Sequence, residues 1–255
     1  MTEVTIETIP DAPGLATRAA QIFSDCCRNA VAKKNSFTVA LSGGSTPRQL
    51  YELLADEKAE FREQIPWNQC HFFWTDERPV APDHPDSNYR MTWDAMLRRV
   101  AVPEGNIHRI QGEKPPEEAA SNYEKELRTF FTLKNDERPA FDLVLLGLGE
   151  DGHTASIFPG TEVLNETTRL VAAPWVPKLN SHRITLTLPV LNNAATTIFL
   201  VSGDSKARIL HEVLEGKPAI FPSQAIQPTS GKLVWLVDSA AAARLHTTRA
   251  STTEA

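Results

Sequence analysis

Four short polar stretches carry residues suited to chemistry, and each lies just after an apolar run. The first is Ser42-Gly43-Gly44-Ser45-Thr46, ahead of Pro47. Paired glycines let backbone come close to a ligand. Free amides at a following helix start point into such a loop, where the helix dipole favours an anion. With its hydroxyls the segment is a candidate phosphate cradle. It lacks the GK[ST] ending of a Walker A loop and is not GxGxxG, so nucleotide binding loses support.

The second stretch runs Gly147-Leu148-Gly149-Glu150-Asp151-Gly152-His153-Thr154. Its glycines call for a sharp turn, with His153 set in it. If His153 opens a short helix, the positive end of that helix disfavours imidazolium. The ring then stays neutral, as a general base must be. Asp151, or Asp76 from a neighbouring loop, could hold the other ring nitrogen and fix the tautomer. The third stretch is Asp76-Glu77-Arg78, a carboxylate to face the chemistry and an arginine to face an anion. The fourth, Gly203-Asp204-Ser205-Lys206, supplies another cation, as does Arg183 at a strand start. The remaining histidines (His71, His84, His108, His182, His211 and His246) lack such a frame and read as surface residues.

These loops need elements to hold them. Phe37–Leu41 is apolar and β-branched, so it reads as a buried strand. A helix follows, with Pro47 as its first residue, Thr46 or Ser45 as cap, and Leu50, Leu53 and Leu54 at helical spacing. Further strands are expected at Cys70–Thr75, Phe141–Gly147, Arg183–Leu188, Thr196–Val201 and Lys232–Val237. Helices are expected at Ser87–Arg99, Pro116–Leu133, from Gly203 to about Leu214, and in the alanine-rich segment after the last strand. The Pro79–Pro85 loop could order over a ligand. Strands alternating with helices imply an α/β fold with parallel strands. Near-continuous apolar strands imply a sheet covered on both faces. Such a sheet binds ligands beyond the carboxyl ends of its strands, which is where the polar stretches fall.

The chain has 255 residues, 41% hydrophobic and 23% charged, with a net charge of −6. That length suits one domain, with a core at 10–245 and a flexible tail at 247–255. The acidic balance argues against a nucleic-acid partner, which needs clustered cations. The N-terminus has no basic and apolar leader, and no run approaches a membrane span. Three cysteines without ligand spacing suggest buried or idle thiols in a reducing, cytoplasmic setting. No cofactor or metal is expected: Asp151 and His153 with Asp76 or His84 show no recurrent ligand spacing. There is no GxSxG elbow and no HExxH. Monomer and small homo-oligomer both stay open.

Taken in order, Ser42–Pro47, Trp74–Arg78, Asp83–Asn88, Gly147–Gly160 and Arg183–Thr187 resemble the 6-phosphogluconolactonase family over roughly residues 10–245. The resemblance implies a Rossmann-like three-layer α/β/α sandwich with a mostly parallel sheet, shared with glucosamine-6-phosphate deaminases. It also implies metal-free hydrolysis of 6-phospho-D-glucono-1,5-lactone to 6-phosphogluconate, in the oxidative pentose phosphate pathway. The deaminases share the SGG loop, the aspartate after the second strand and the DGH triplet. They carry a glutamate where this chain has Phe158, and tend to carry tyrosine where it has Arg78. Both departures favour the lactonase over the isomerase–deaminase reading. A sugar-phosphate sensor without turnover is the third reading, and it lacks a DNA-binding signal.

The expected partner is therefore a phosphorylated sugar lactone. Its phosphate would dock on Ser42, Gly43, Gly44, Ser45 and Thr46, helped by Arg183 and Lys206, which resemble phosphate contacts in the wider superfamily. His153 would act as base, oriented by Asp151 or Asp76. Arg78 or glycine-loop amides would meet the oxyanion.

Overall fold

Apolar, β-branched segments of four to seven residues build the centre of the molecule. The computed structural model describes residues 3–246. In chain order the elements are β1 (Glu3–Ile9), α1 (Ala12–Lys34), β2 (Phe37–Leu41), α2 (Ser45–Leu54), α3 (Phe61–Gln64), β3 (Cys70–Trp74), β4 (Asp76–Glu77), α4 (Asn88–Ala95) and α5 (Pro116–Phe130). The second half holds β5 (Leu143–Leu146), β6 (Val171–Ala172), β7 (Trp175–Val176), β8 (Ser181–His182), β9 (Ile184–Leu186), α6 (Leu188–Leu191), β10 (Thr196–Val201), α7 (Ala207–Glu215) and β11 (Lys232–Asp238).

Six strands form one parallel sheet in the order β1-β11-β10-β5-β2-β3. Every residue of β2 and β5 is buried. Strands buried on both faces need cover on both sides, so continuous apolar runs replace alternation here. Each large aliphatic side chain removed from water contributes about 1.5–3 kcal/mol. β2 lies between β3 and β5, so the chain leaves its carboxyl end toward one neighbour while the other stands across a crevice. A reversal of this kind opens a binding crevice in an open α/β sheet.

The structure departs from the sequence reading at several points. The first strand is β1, not β2. It joins the sheet edge beside β11, and α1 follows, capped by Asp11 accepting from the Gly14 amide at 2.8 Å. The strand expected at Arg183–Leu188 shortens to β9 and leaves the parallel set. It pairs antiparallel with β4 and β6 in a small second sheet. The reason lies in β4, which turns out of the main sheet directly after β3 and offers its edge to β9. After β11 the chain makes turns rather than a helix, held by the buried Asp238 accepting from the Ala241 amide at 2.7 Å. The expected tail at 247–255 lies outside the described residues.

One side-chain expectation also changes. His108 is buried and stacks on Phe73 with centroids 4.2 Å apart, so it belongs to the core. Cys27 and Cys70 meet as buried thiols, sulfur to sulfur at 3.5 Å. Among the described residues no helix is long and apolar enough to cross a membrane.

Candidate active site

The loops after β2, β4, β5 and β10 converge on one cleft of about 410 Å³. Ser42, Gly43, Gly44, Ser45, Thr46, Asp76, Arg78, Asp151, His153 and Lys206 all line it. Of the site residues expected from the sequence, only Arg183 does not. It is half-buried near Arg78 and donates to the carbonyl of His182 at 2.8 Å. Burial, and then the neighbouring Arg78 charge, push its pKa down.

The cradle is built by glycine. Gly44 takes φ +109°, a conformation that side chains rarely adopt, and turns the chain from β2 straight into α2. Gly44 is therefore the cap. Ser45 is the first helical residue, and Pro47 stands third rather than first. Proline costs nothing there, since amides of a first turn have no helical acceptor anyway. Tyr51, one turn and a half into α2, donates to the Ser42 carbonyl at 2.9 Å and accepts from the Ser42 amide at 3.1 Å. That amide is consumed. The amides of Gly43, Gly44, Ser45 and Thr46 have no acceptor among the described residues. The buried Ser42 Oγ likewise has none. Gly43 is required for a second reason: a Cβ on it would come within 1.9 Å of Asn88 Oδ1.

His153 sits in the glycine turn, but no helix starts there. No helix end bears on the ring, and direct contacts hold it in place instead. Nδ1 lies 2.5 Å from Asp151 Oδ1, and the Gly149 amide donates to the His153 carbonyl at 2.9 Å. The ring stacks on Phe158 at a centroid distance of 4.1 Å. Nδ1 held by the carboxylate leaves Nε2 as the chemically available nitrogen. Asp151 also accepts from Lys178 Nζ at 2.8 Å. Its partial burial raises its pKa. Hydrogen bonds from Lys178 and His153 outweigh that and hold it well below the usual carboxylate range.

Of the two aspartates, Asp151 is the one in contact with His153. Asp76 is buried and accepts from Ser156 Oγ at 2.6 Å and Thr75 Oγ1 at 3.2 Å, not from His153. Ser156 lies three residues beyond His153, so Asp76 fastens the far side of the histidine turn to β4. Glu77 is structural. Its carboxylate accepts from the amides of Arg78, Asn88 and Tyr89 and from Ser87 Oγ, which seats the start of α4. Burial raises its pKa against those hydrogen bonds. Arg78 donates to the Asp86 carbonyl through Nη1 at 2.6 Å, while its buried Nε has no partner.

Sequence reading missed Asn88 and Lys178 in the lining. Asn88 donates to the Asp76 carbonyl at 2.9 Å. Lys178 comes from the β7–β8 hairpin, whose tip turns at Asn180 with φ +46°. Pro177 and Asn180 between the two short strands are the turn signal that marks it. No residue of the Pro79–Pro85 loop lines the cleft.

The family model described as glucosamine-6-phosphate isomerases/6-phosphogluconolactonase matches residues 10–235. A 6-phosphogluconolactonase of Nostoc sp. is 43% identical, covering 94% of this chain and 98% of that protein. One from Synechocystis sp. is 44% identical, over 91% of this chain and 94% of that one. The solved 6-phosphogluconolactonase of Trypanosoma cruzi superposes with a TM-score of 0.84 at 28% identity, covering 97% and 99% of the two chains. The chain belongs to the glucosamine-6-phosphate isomerase/6-phosphogluconolactonase family.

Proposed function

We propose that the protein hydrolyses 6-phospho-D-glucono-1,5-lactone to 6-phosphogluconate. The observation that carries this reading is one cleft holding both a rigid imidazole with a free Nε2 and a row of unpartnered amides at a helix start. The phosphate docks on the amides of Gly43–Thr46 with Lys206, which places the lactone carbonyl beside His153. Nε2 of His153 takes a proton from water as the water oxygen bonds to C1. The resulting oxyanion needs donors. The amides of Gly149 and Gly152 are already used within the turn, so the Arg78 guanidinium, which lines the cleft, fits that task better. The C1–ring oxygen bond then breaks, and Nε2 returns its proton to the ring oxygen. Asp151 stays anionic throughout and keeps the tautomer fixed.

Phe158 supports hydrolysis over deamination. Its ring is the platform on which His153 stacks, and it brings no carboxylate for a ring-opening relay. Acid release from freshly made lactone, measured against spontaneous hydrolysis, is expected to be strongly accelerated. Ammonia release from glucosamine 6-phosphate at a comparable rate, with no lactone turnover, would replace the proposal with the deaminase. Binding of the lactone without turnover would leave only a sensor.

The anion end has its own test. Lys206→Ala removes a charged donor, an interaction of about 1.5–3 kcal/mol, so KM rises roughly ten- to hundred-fold. The change in kcat is smaller, because phosphate binding is common to ground and transition states. An unaltered KM would place the phosphate elsewhere.

A further inference from the structure

α7 ends with His211 and Glu215, four residues apart and therefore on one helical face. β11 and the turns after it bring the chain back over that end. The Leu245 amide donates to the Ala242 carbonyl at 2.9 Å, and Leu245 packs against the core. His246 thus arrives at Glu215 from a separate part of the chain. Its amide donates to Glu215 Oε1 at 2.9 Å. Its Nδ1 lies 3.0 Å from Glu215 Oε2, and His211 Nδ1 lies 3.1 Å from the same oxygen. All three candidate ligand atoms fall within 4.8 Å of one another.

Bonds of about 2.0–2.1 Å from a tetrahedral ion to nitrogen or oxygen put neighbouring donors roughly 3.3 Å apart. Two edges of the His211–Glu215–His246 triangle are close to that length already. The carboxylate at its base has 17% of its side chain exposed, whereas His246 has 84%, so the cluster opens to solvent on one side. The His246 amide, which donates to Oε1 at 2.9 Å and to Oε2 at 3.2 Å, orients the carboxylate with Oε2 beside both rings, the kind of outer contact that supports metal ligands. None of the three residues lines the cleft.

The geometry points to a divalent transition-metal site of the zinc class, with two imidazoles and one carboxylate as ligands and water in the fourth position. The ion ties the turn after β11 to the end of α7. It stabilises the fold by mass action, since the unfolded chain does not hold the three ligands together.

The test uses the full chain, free of any histidine tag and stripped of metal. Zn²⁺ titration by calorimetry is expected to show one ion bound at this site and a rise in thermal unfolding temperature. Co²⁺ in its place should give the visible absorption of a four-coordinate ion. His211→Ala and His246→Ala should each weaken Zn²⁺ binding at least about tenfold and abolish the thermal shift, the scale set by ligand-shell losses. Both variants should hydrolyse lactone as the parent does, and His153→Ala should still bind Zn²⁺ at this site. Equal Zn²⁺ binding by the parent and the His211→Ala/His246→Ala double variant would overturn the proposal. So would no detectable binding by the parent, which would leave the cluster as hydrogen bonds alone.

Discussion

His153→Ala yields a folded protein whose lactone turnover falls by at least about 10²-fold, the usual contribution of a positioned general base. The fold survives because the imidazole side chain is 29% exposed and is no core element. Its loss removes one hydrogen bond and one ring stack. Asp151 is not left as a lone charge, because Lys178 still donates to it at 2.8 Å. The stability cost therefore stays small while the chemical step loses its proton acceptor. The measurement is kcat by acid release, beside circular dichroism and thermal unfolding of both proteins. The substrate still docks, since the amides of Gly43–Thr46 and Lys206 are untouched, so KM should move little. Parent-like turnover in the variant would remove His153 from the role of base.

Much of this arrangement is legible in the sequence for a simple physical reason. Parallel strands such as Phe37–Leu41 and Leu143–Leu146 are buried on both faces, so they stand out as apolar runs, and the rule for open α/β sheets directs attention to the loop at each carboxyl end. Ser42–Thr46, Asp76–Arg78, Gly147–His153 and Lys206 emerge that way. The hidden part depends on side-chain direction and on irregular chain. Asp76 and Asp151 are chemically alike, and only the path of the turn hands His153 to one and Ser156 to the other. Glu77 and Arg78 are adjacent, yet one seats α4 and the other lines the cleft. Lys178 rides on a hairpin of two-residue strands, too short to show a period. β1 is an edge strand with only partial burial, so its apolar signal is weak. Arg183 enters the expected site as a cation at a strand start and by resemblance, yet its guanidinium donates to a backbone carbonyl and it is not part of the lining.

Gly149→Ala should cost nearly as much activity as removing the histidine itself, about 10²-fold on the same scale. A Cβ on Gly149 would fall 2.0 Å from His153 Nδ1 and 2.1 Å from Cε1, an overlap the ring can relieve only by swinging away. Swinging breaks the contact with Asp151 and the stack on Phe158, so the tautomer and direction of Nε2 are both lost. The backbone itself gives no objection, because Gly149 is not among the positive-φ glycines. Gly152 is the contrast. Its φ of +76° and the Phe221 ring 2.5 Å from an added Cβ would make Gly152→Ala a stability defect first. The decisive measurement is a double-mutant cycle. With the imidazole already gone the alanine methyl has nothing to displace, so Gly149→Ala in the His153→Ala background should add almost no further loss. Residues that act as one unit show such strong non-additivity. Losses that instead multiply would mean that Gly149 acts on the substrate or on the loop backbone, and that the ring contact is not what this glycine protects.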